Sequence, residues 1–412
     1  MWDLAAQGLE TGGLDSLPKP SAPLRLAFIS HCLHAEDQSA GRIGGAERAA
    51  AELLAAFRRR DDVIVTPLVA SAQTDRFRFA TFAARTLVKF GRMAETGAVE
   101  AVLFTAMPTA WMSLALASVL KRRGVISAAI CHGHDVTMAL PAYQHLVHRT
   151  LRVLDLVLPV SRATGEHCLA RGLDPSRLHV TPNGADLDRF GPPPSQAMRR
   201  AILREAFPDE TSGLADEAFV ICSVGRQVRR KGHAWFAGAV MPRLPDDVQL
   251  WLVGEGPEAA AIDMACSRAG AASRVRRLGA IPDRKLAALY RGADLFVMPN
   301  IPVIDDIEGF GLVLLEANLN GLPVVAAALE GVTDVISEGV NGRLVTAEDA
   351  DAFARVILEL RRDPAERRRL ALSAEAHVRQ SYSWNRVVDR QMRLLTAQRG
   401  RRGAPAGRPL RP

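Results

Sequence analysis

Glu308 and Glu316 stand either side of seven residues in the run EGFGLVLLE, and Gly309, Phe310 and Gly311 directly follow the first carboxylate. Glu308 closes a loop after the apolar run 293–299, and a helix expected from Leu312 carries Glu316 two turns in. A helix start presents unpaired N–H groups and the positive end of the backbone dipole. That end suits a phosphate. The two carboxylates would then flank a bound nucleotide and reach hydroxyls, not phosphates. Taken alone, the spacing is equally that of an ordinary helix with an acidic approach.

Further residues of the same kind lie upstream. Gly225-Arg226 ends an expected strand, and Lys231-Gly232-His233 opens the next element. A guanidinium fork and an ammonium point charge five residues apart can converge on one phosphate pair. Arg229 and Arg230 between them read as solvated. Gly44-Gly45 precedes Glu47 at a helix start, where glycine lets the backbone approach a ligand. Gly254 lies in VGEGP after a strand, and Ala280-Ile281 follow Gly279 at the end of the next. In the first half, Cys131-His132-Gly133-His134-Asp135 ends a strand. Histidine handles protons near neutral pH. Two histidines and an aspartate so close resemble metal ligands, but no further ligand stands at zinc-like spacing.

These stretches, in this order and joined by PVS at 159–161 and PNGAD at 182–186, resemble the retaining GT-B glycosyltransferases of family 4. The resemblance runs from Gly44 to Glu316. It implies that Arg226 and Lys231 grip the donor diphosphate, and that Gly44 and Gly45 face phosphates and sugar. It implies that Gly254, Ala280 and Ile281 belong to the nucleotide-binding loops, the last two meeting the base through main-chain groups. Glu308, with Gly309, Phe310, Gly311 and Leu312, would hold the transferred sugar and the phosphates, and Glu316 the ribose. His132 would reach the sugar from the first domain, with His134 and Asp135 as acceptor-side or supporting residues. No metal and no cofactor are implied; the nucleotide-sugar donor, UDP- or GDP-linked, is a substrate. The implied reaction moves a hexose to an acceptor hydroxyl with retention. No carboxylate is evident on the reactive face, where a double displacement would need one. Front-side displacement follows, with the leaving diphosphate oxygen taking the acceptor's proton. The acceptor itself stays open. The segment NIPVIDDI at 300–307 is longer and more acidic than a minimal loop, so the mouth of the site is shaped for a particular ligand.

The positioning elements read as two successive α/β patterns. Strands are expected at 24–30, 63–68, 99–105, 125–131 and 154–159, and again at 218–225, 248–254, 275–279, 294–298, 323–327 and 342–345. The pattern fits two doubly wound Rossmann-like domains, and the resemblance implies that they form the GT-B fold, facing across a cleft, with a C-terminal helix crossing back to the first. The expected segments are a loosely ordered N-terminus at 1–22, a first domain at 23–185 and a donor domain at 186–380. A crossover helix at 381–397 and a disordered basic tail at 398–412 follow.

The chain has 412 residues, 48% apolar and 24% charged, which fits two soluble domains. No secretory leader or membrane-spanning run is evident, and the five scattered cysteines fit a reduced, cytoplasmic protein. The formal charge of +7 falls to +2 without Arg399, Arg401, Arg402, Arg408 and Arg411. With aromatics at 5%, a nucleic-acid partner is not expected. Residues 76–92 place phenylalanines among cations on one helix, the pattern of a core helix with solvated cations or, as the alternative, of peripheral contact with a membrane face. A dinucleotide oxidoreductase is disfavoured because GRIGGAE at 41–47 lacks the G-x-G-x-x-G spacing. A non-catalytic sugar-nucleotide binder on the same fold is the remaining alternative.

Overall fold

The computed structural model describes residues 22–33, 44–71, 76–189 and 193–403. Of the expected loose N-terminus at 1–22, residues 1–21 lie outside the described residues, as does the tail beyond Gly403. The chain forms two compact units, one of residues 1–35, 46–182 and 384–412, the other of residues 36–45 and 183–383.

The first unit is built on a parallel sheet of β1 (Leu24–Leu33), β2 (Val63–Ser71), β3 (Ala101–Phe104), β4 (Ile126–Cys131) and β5 (Leu156–Pro159), in the order β2-β1-β3-β4-β5. The central strands are apolar almost throughout because helices cover both faces of a parallel sheet. Leu26, Ala27, Phe28 and Ile29 are fully buried, as are Ala101 to Phe104. Strand order reverses between β1 and β3, so their carboxyl ends open a crevice. The helix Gly45–Arg58 turns Ala49, Ala50, Leu53, Leu54 and Phe57 inward and ends on a cation that suits its dipole.

The second unit has a six-stranded parallel sheet. Its strands are β6 (Phe219–Val224), β7 (Val248–Val253), β8 (Val275–Gly279), β9 (Leu295–Met298), β10 (Val324–Ala327) and β11 (Arg343–Val345), ordered β11-β10-β9-β6-β7-β8. The reversal here lies between β6 and β9. Sequence reading placed no helix between residues 363 and 380, yet Pro364–Ser381 is one. Its start was written in the chain: the Asp363 side chain accepts from the N–H groups of Ala365 and Glu366, and proline takes the first position.

The last helix, Trp384–Gly403, belongs to the first unit. It starts three residues later than expected, because Tyr382 and Ser383 still pair with Ala185 in the second unit. It also ends six residues later, so residues 398–403 are helical, not tail. The reason is electrostatic. Arg399 meets Glu100 at 2.7 Å, and Arg402 donates to the Val125 carbonyl at 2.8 Å and pairs with Asp155.

In the helix Arg76–Glu95 the rings serve the core. Phe90 is fully buried, and Phe82 and Leu87 pack against the first unit's apolar cluster. Arg78, Arg85, Val88 and Lys89 face solvent. The side chains of Arg76 and Phe77 lie outside the described residues. Among the described residues no helix is long and apolar enough to cross a membrane.

Candidate functional site

In the second unit the carboxyl ends of the strands converge. Gly225, directly after β6, donates its N–H to Val253, and Gly254, after β7, donates to Gly279 at the end of β8. The approach of these turns is close enough that a Cβ on Gly254 would lie 2.1 Å from the Gly225 carbonyl oxygen. Glycine is required there by the backbone packing itself, at φ +117°. Ala280 and buried Ile281 continue from Gly279 on the same rim.

Lys231 lies in a short 3₁₀ turn, Arg229–Lys231, and is buried. Its Nζ donates to Glu308 Oε2 at 2.5 Å, and Asn300 Nδ2 donates to the same oxygen at 3.2 Å. Arg230 adds a third cationic group, its Nε 3.7 Å from Glu308 and 3.6 Å from Asp306. Burial alone would push the Glu308 carboxyl up; Lys231 and Arg230 more than offset this and hold it at about 2. Burial pulls the Lys231 ammonium below its ordinary value, opposed by Glu308. Glu308 is therefore ionised throughout the neutral range, and its partner is an ammonium with further N–H donors to give. Arg226 stands exposed on the loop after β6. The sequence reading of Arg230 as solvated is corrected: its side chain is only 12% exposed, because the turn aims it at the acidic loop before Glu308.

Gly309, Phe310 and Gly311 are buried, with the Phe310 ring against Tyr382. The helix Leu312–Leu319 opens at Gly311, which has φ +86°, and no side chain caps it. Its first N–H groups therefore have no side-chain acceptor. Glu316 lies one turn into this helix, not the expected two, and is spoken for. Arg189 Nη1 reaches Oε1 at 2.8 Å and the Tyr290 hydroxyl donates to Oε2 at 3.0 Å. A ribose at Glu316 would share or replace one of these donors.

Two other buried groups face these loops without partners: both side-chain polar atoms of Gln227, and Nδ1 of His233. Burial holds His233 at about 3, so its ring is neutral, with Nε2 beside Ser223 Oγ at 3.1 Å.

In the first unit the residues after β4 are also gathered. The Asp135 carboxylate accepts from the His132 N–H at 2.8 Å and from the Met107 N–H at 3.0 Å. It thus staples the β4 turn to the residues after β3, and neither oxygen orients an imidazole ring. His132 Nε2 donates to the Thr105 carbonyl at 2.9 Å, so Nδ1 is the acceptor whenever the ring is neutral. His134 is exposed. His31, at the carboxyl end of β1, was missed by sequence reading. Burial lowers its pKa, Glu47 and Asp135 counter this, and its Nδ1 is buried without a hydrogen bond. A histidine ending the first strand at a switch point was the available signal. Gly44 directly precedes the helix Gly45–Arg58, after residues 34–43 that lie outside the described set. Among the described residues no three His, Cys, Asp or Glu side chains cluster as metal ligands.

Comparison with known proteins places this arrangement. Residues 43–189 match the Glycosyltransferase Family 4 model, and residues 218–363 match the model of glycosyl transferases group 1. A relative in Mycolicibacterium smegmatis, the GDP-mannose-dependent alpha-(1-6)-phosphatidylinositol monomannoside mannosyltransferase, is 32% identical over 299 residues, 71% of this chain and 76% of that protein. The D-inositol 3-phosphate glycosyltransferase of Xylanimonas cellulosilytica is 35% identical over 238 residues, 57% of this chain, and the match spans only 54% of that relative's length. Among solved structures, the HepE protein of Anabaena in complex with UDP superposes with a TM-score of 0.71 at 19% identity, covering 91% of this chain and all of that one; this is a likeness of fold. The sucrose-phosphate synthase of Thermosynechococcus elongatus gives 0.69 at 22% identity, covering 91% of this chain and 98% of that one. Two parallel-sheet units with loops gathered at the carboxyl ends of their strands, matched by both family models and by a relative over most of its length, make this chain a GT-B glycosyltransferase of family 4.

Proposed function

We propose that the enzyme transfers a hexose from a nucleoside-diphosphate sugar to an acceptor hydroxyl, with retention of anomeric configuration and without a metal at the reaction centre. One observation carries the donor half: the buried Lys231–Glu308 pair at the β6/β9 switch point, next to Arg226 and an uncapped helix start. A diphosphate needs cations and N–H donors; a hexose needs a fixed carboxylate for its hydroxyls. Both kinds of group stand together there.

Arg226, the free N–H donors of Lys231 and the N–H groups from Leu312 onward bind the diphosphate. They stabilise the charge that develops on it as the bond to the anomeric carbon breaks. Glu308 fixes the sugar through its hydroxyls. The acceptor oxygen bonds to the anomeric carbon on the face the leaving group vacates, and the departing phosphate oxygen takes the acceptor's proton. In the first unit His132 is the proposed sugar-contacting residue, presenting Nδ1 as an acceptor. His134 is kept as a lesser acceptor-side candidate, and Asp135 supports His132 by holding its turn.

GDP- and UDP-sugars are the proposed donors. The mycobacterial relative is named for GDP-mannose, and the Anabaena fold neighbour is in complex with UDP. A thermal-shift panel of UDP, GDP and ADP tests this: a shift with UDP or GDP is expected, and none with any of the three would overturn the reading. We further propose a cytoplasmic enzyme that meets anionic lipid through Arg78, Arg85 and Lys89, three of the solvent-facing cations of the helix Arg76–Glu95.

A further inference from the structure

Glu330 adopts φ +50°, the left-handed region that costs a residue with a side chain and that glycine takes freely. A strained residue beside a functional carboxylate invites a functional account. Its side chain shows one. Glu330 Oε2 accepts the backbone N–H of Glu308. The next residue completes the grip, for the Gly331 N–H donates to the Glu308 carbonyl at 3.1 Å. Both polar groups of the Glu308 main chain are thus taken by residues 330 and 331. The approach is tight enough that a Cβ on Gly331 would fall 2.1 Å from the Gly309 carbonyl oxygen. The turn is braced from behind by the Thr333 hydroxyl, which donates to the Glu330 carbonyl at 2.8 Å.

We propose that Glu330 is a positioning residue of the donor site, which fixes the Glu308–Gly309 turn and through it the Glu308 carboxylate opposite Lys231. The inference rests on the donor-site reading above and deepens it. The left-handed backbone places the carboxyl under the Glu308 peptide, and a glycine there could not supply that acceptor.

The charges around Glu330 give the arrangement a proton linkage. From the acidic loop it faces Glu308 and Asp306, and from the 3₁₀ turn it faces Arg230. Burial first, then Glu308 and Asp306, raise its pKa; the Glu308 N–H and Arg230 lower it; the balance is about 7. A diphosphate bound at Arg226 and Lys231 brings more negative charge into the same network. Donor binding therefore favours the protonated carboxyl, and affinity falls as pH rises through 7.

The test uses the full chain with UDP-glucose and GDP-mannose, whose diphosphate diesters do not titrate near neutrality. Affinity by calorimetry, and kcat and KM for donor hydrolysis, are measured from pH 6 to 8.5 for the parent, Glu330→Gln, Glu330→Ala and Glu330→Gly. In the parent, affinity for the accepted donor drops several-fold across that range. Glu330→Gln keeps kcat within a few-fold, since its amide oxygen still accepts the Glu308 N–H, and loses the pH dependence. Glu330→Ala and Glu330→Gly lose kcat by tenfold or more, while Glu330→Gly melts no lower than the parent because glycine relieves the backbone. Parent-like kcat in the alanine and glycine variants, or one shared pH profile for the parent and the glutamine variant, overturns the role of Glu330 alone. If the parent binds neither donor, the donor-site reading fails and this role falls with it.

Discussion

Glu308 and Lys231 are each about one-tenth exposed at the side chain and share one short hydrogen bond. Removing one partner of such a pair leaves a bare buried charge, which costs roughly 3 kcal/mol or more. We expect Lys231→Met to lose about that much stability in urea at pH 7. Glu308 is held below its ordinary value of 4.5, so its contribution is present above 4.5 and is lost as pH falls toward 2. Without Lys231 the carboxyl takes up a proton more readily, so the gap between parent and variant should narrow at pH 4. A gap that stays constant from pH 7 to 4 would contradict the ion-pair account. Arg226 is exposed, and Arg226→Ala should leave the fold intact. It should weaken UDP or GDP by roughly ten- to a hundredfold and the free nucleoside hardly at all, a charge-assisted hydrogen bond being worth about 1.5–3 kcal/mol. Equal weakening of both in calorimetry would remove Arg226 from the phosphates. At this scale the sequence was informative where chemistry is local: Glu308, Arg226 and Lys231 stand out by type and spacing. It was silent on Glu330 and Arg189. Their partners lie 22 and 127 residues away, and nothing in composition announces a left-handed glutamate.

At the scale of elements, parallel strands were easy to read because burial on both faces makes them continuous apolar runs. The helix ends were harder, since they depend on distant partners. The last helix is an example: Val387, Val388, Met392 and Leu395 gave its apolar face, but Glu100 and Asp155 decide where its basic end stays ordered. Its Trp384 is 5% exposed and donates from Nε1 to Glu52 Oε2 at 2.6 Å, both within the first unit. Five buried apolar side chains at about 1.5–3 kcal/mol each are comparable to a domain's whole margin of stability. A chain ending at Ser383 should therefore expose the first unit's apolar surface and aggregate, whereas one ending at Gly403 should behave as the parent. A monomeric, cooperatively melting protein ending at Ser383 would contradict the packing. The short stretch 236–240 is a π-helix, and nothing in its sequence signalled that.

For the whole molecule, the two α/β patterns and the return of the chain were legible from strand order and helical spacing. The segment 76–92 shows where pattern alone stops. Rings and cations alternate there in a way that fits a lipid surface, but Phe90, Phe82 and Leu87 are committed to the core. What remains for lipid is charge. Binding to anionic vesicles should then be lost between about 0.1 and 0.5 M salt, and should fall when Arg78, Arg85 and Lys89 are made neutral. Salt-independent binding, or equal binding to neutral vesicles, would exclude an electrostatic contact.

Retaining transfer from a nucleoside-diphosphate hexose, through a donor site centred on Glu308, is what we propose for this glycosyltransferase. Its most direct test is time-resolved proton NMR of slow donor hydrolysis over a panel of α-linked UDP- and GDP-hexoses. One donor should release nucleoside diphosphate, and the first sugar to appear should be the α anomer, before mutarotation. Glu308→Gln should slow release by roughly a hundredfold or more with the melting curve still cooperative. A β-configured first product, or release unaffected by Glu308→Gln, would contradict it.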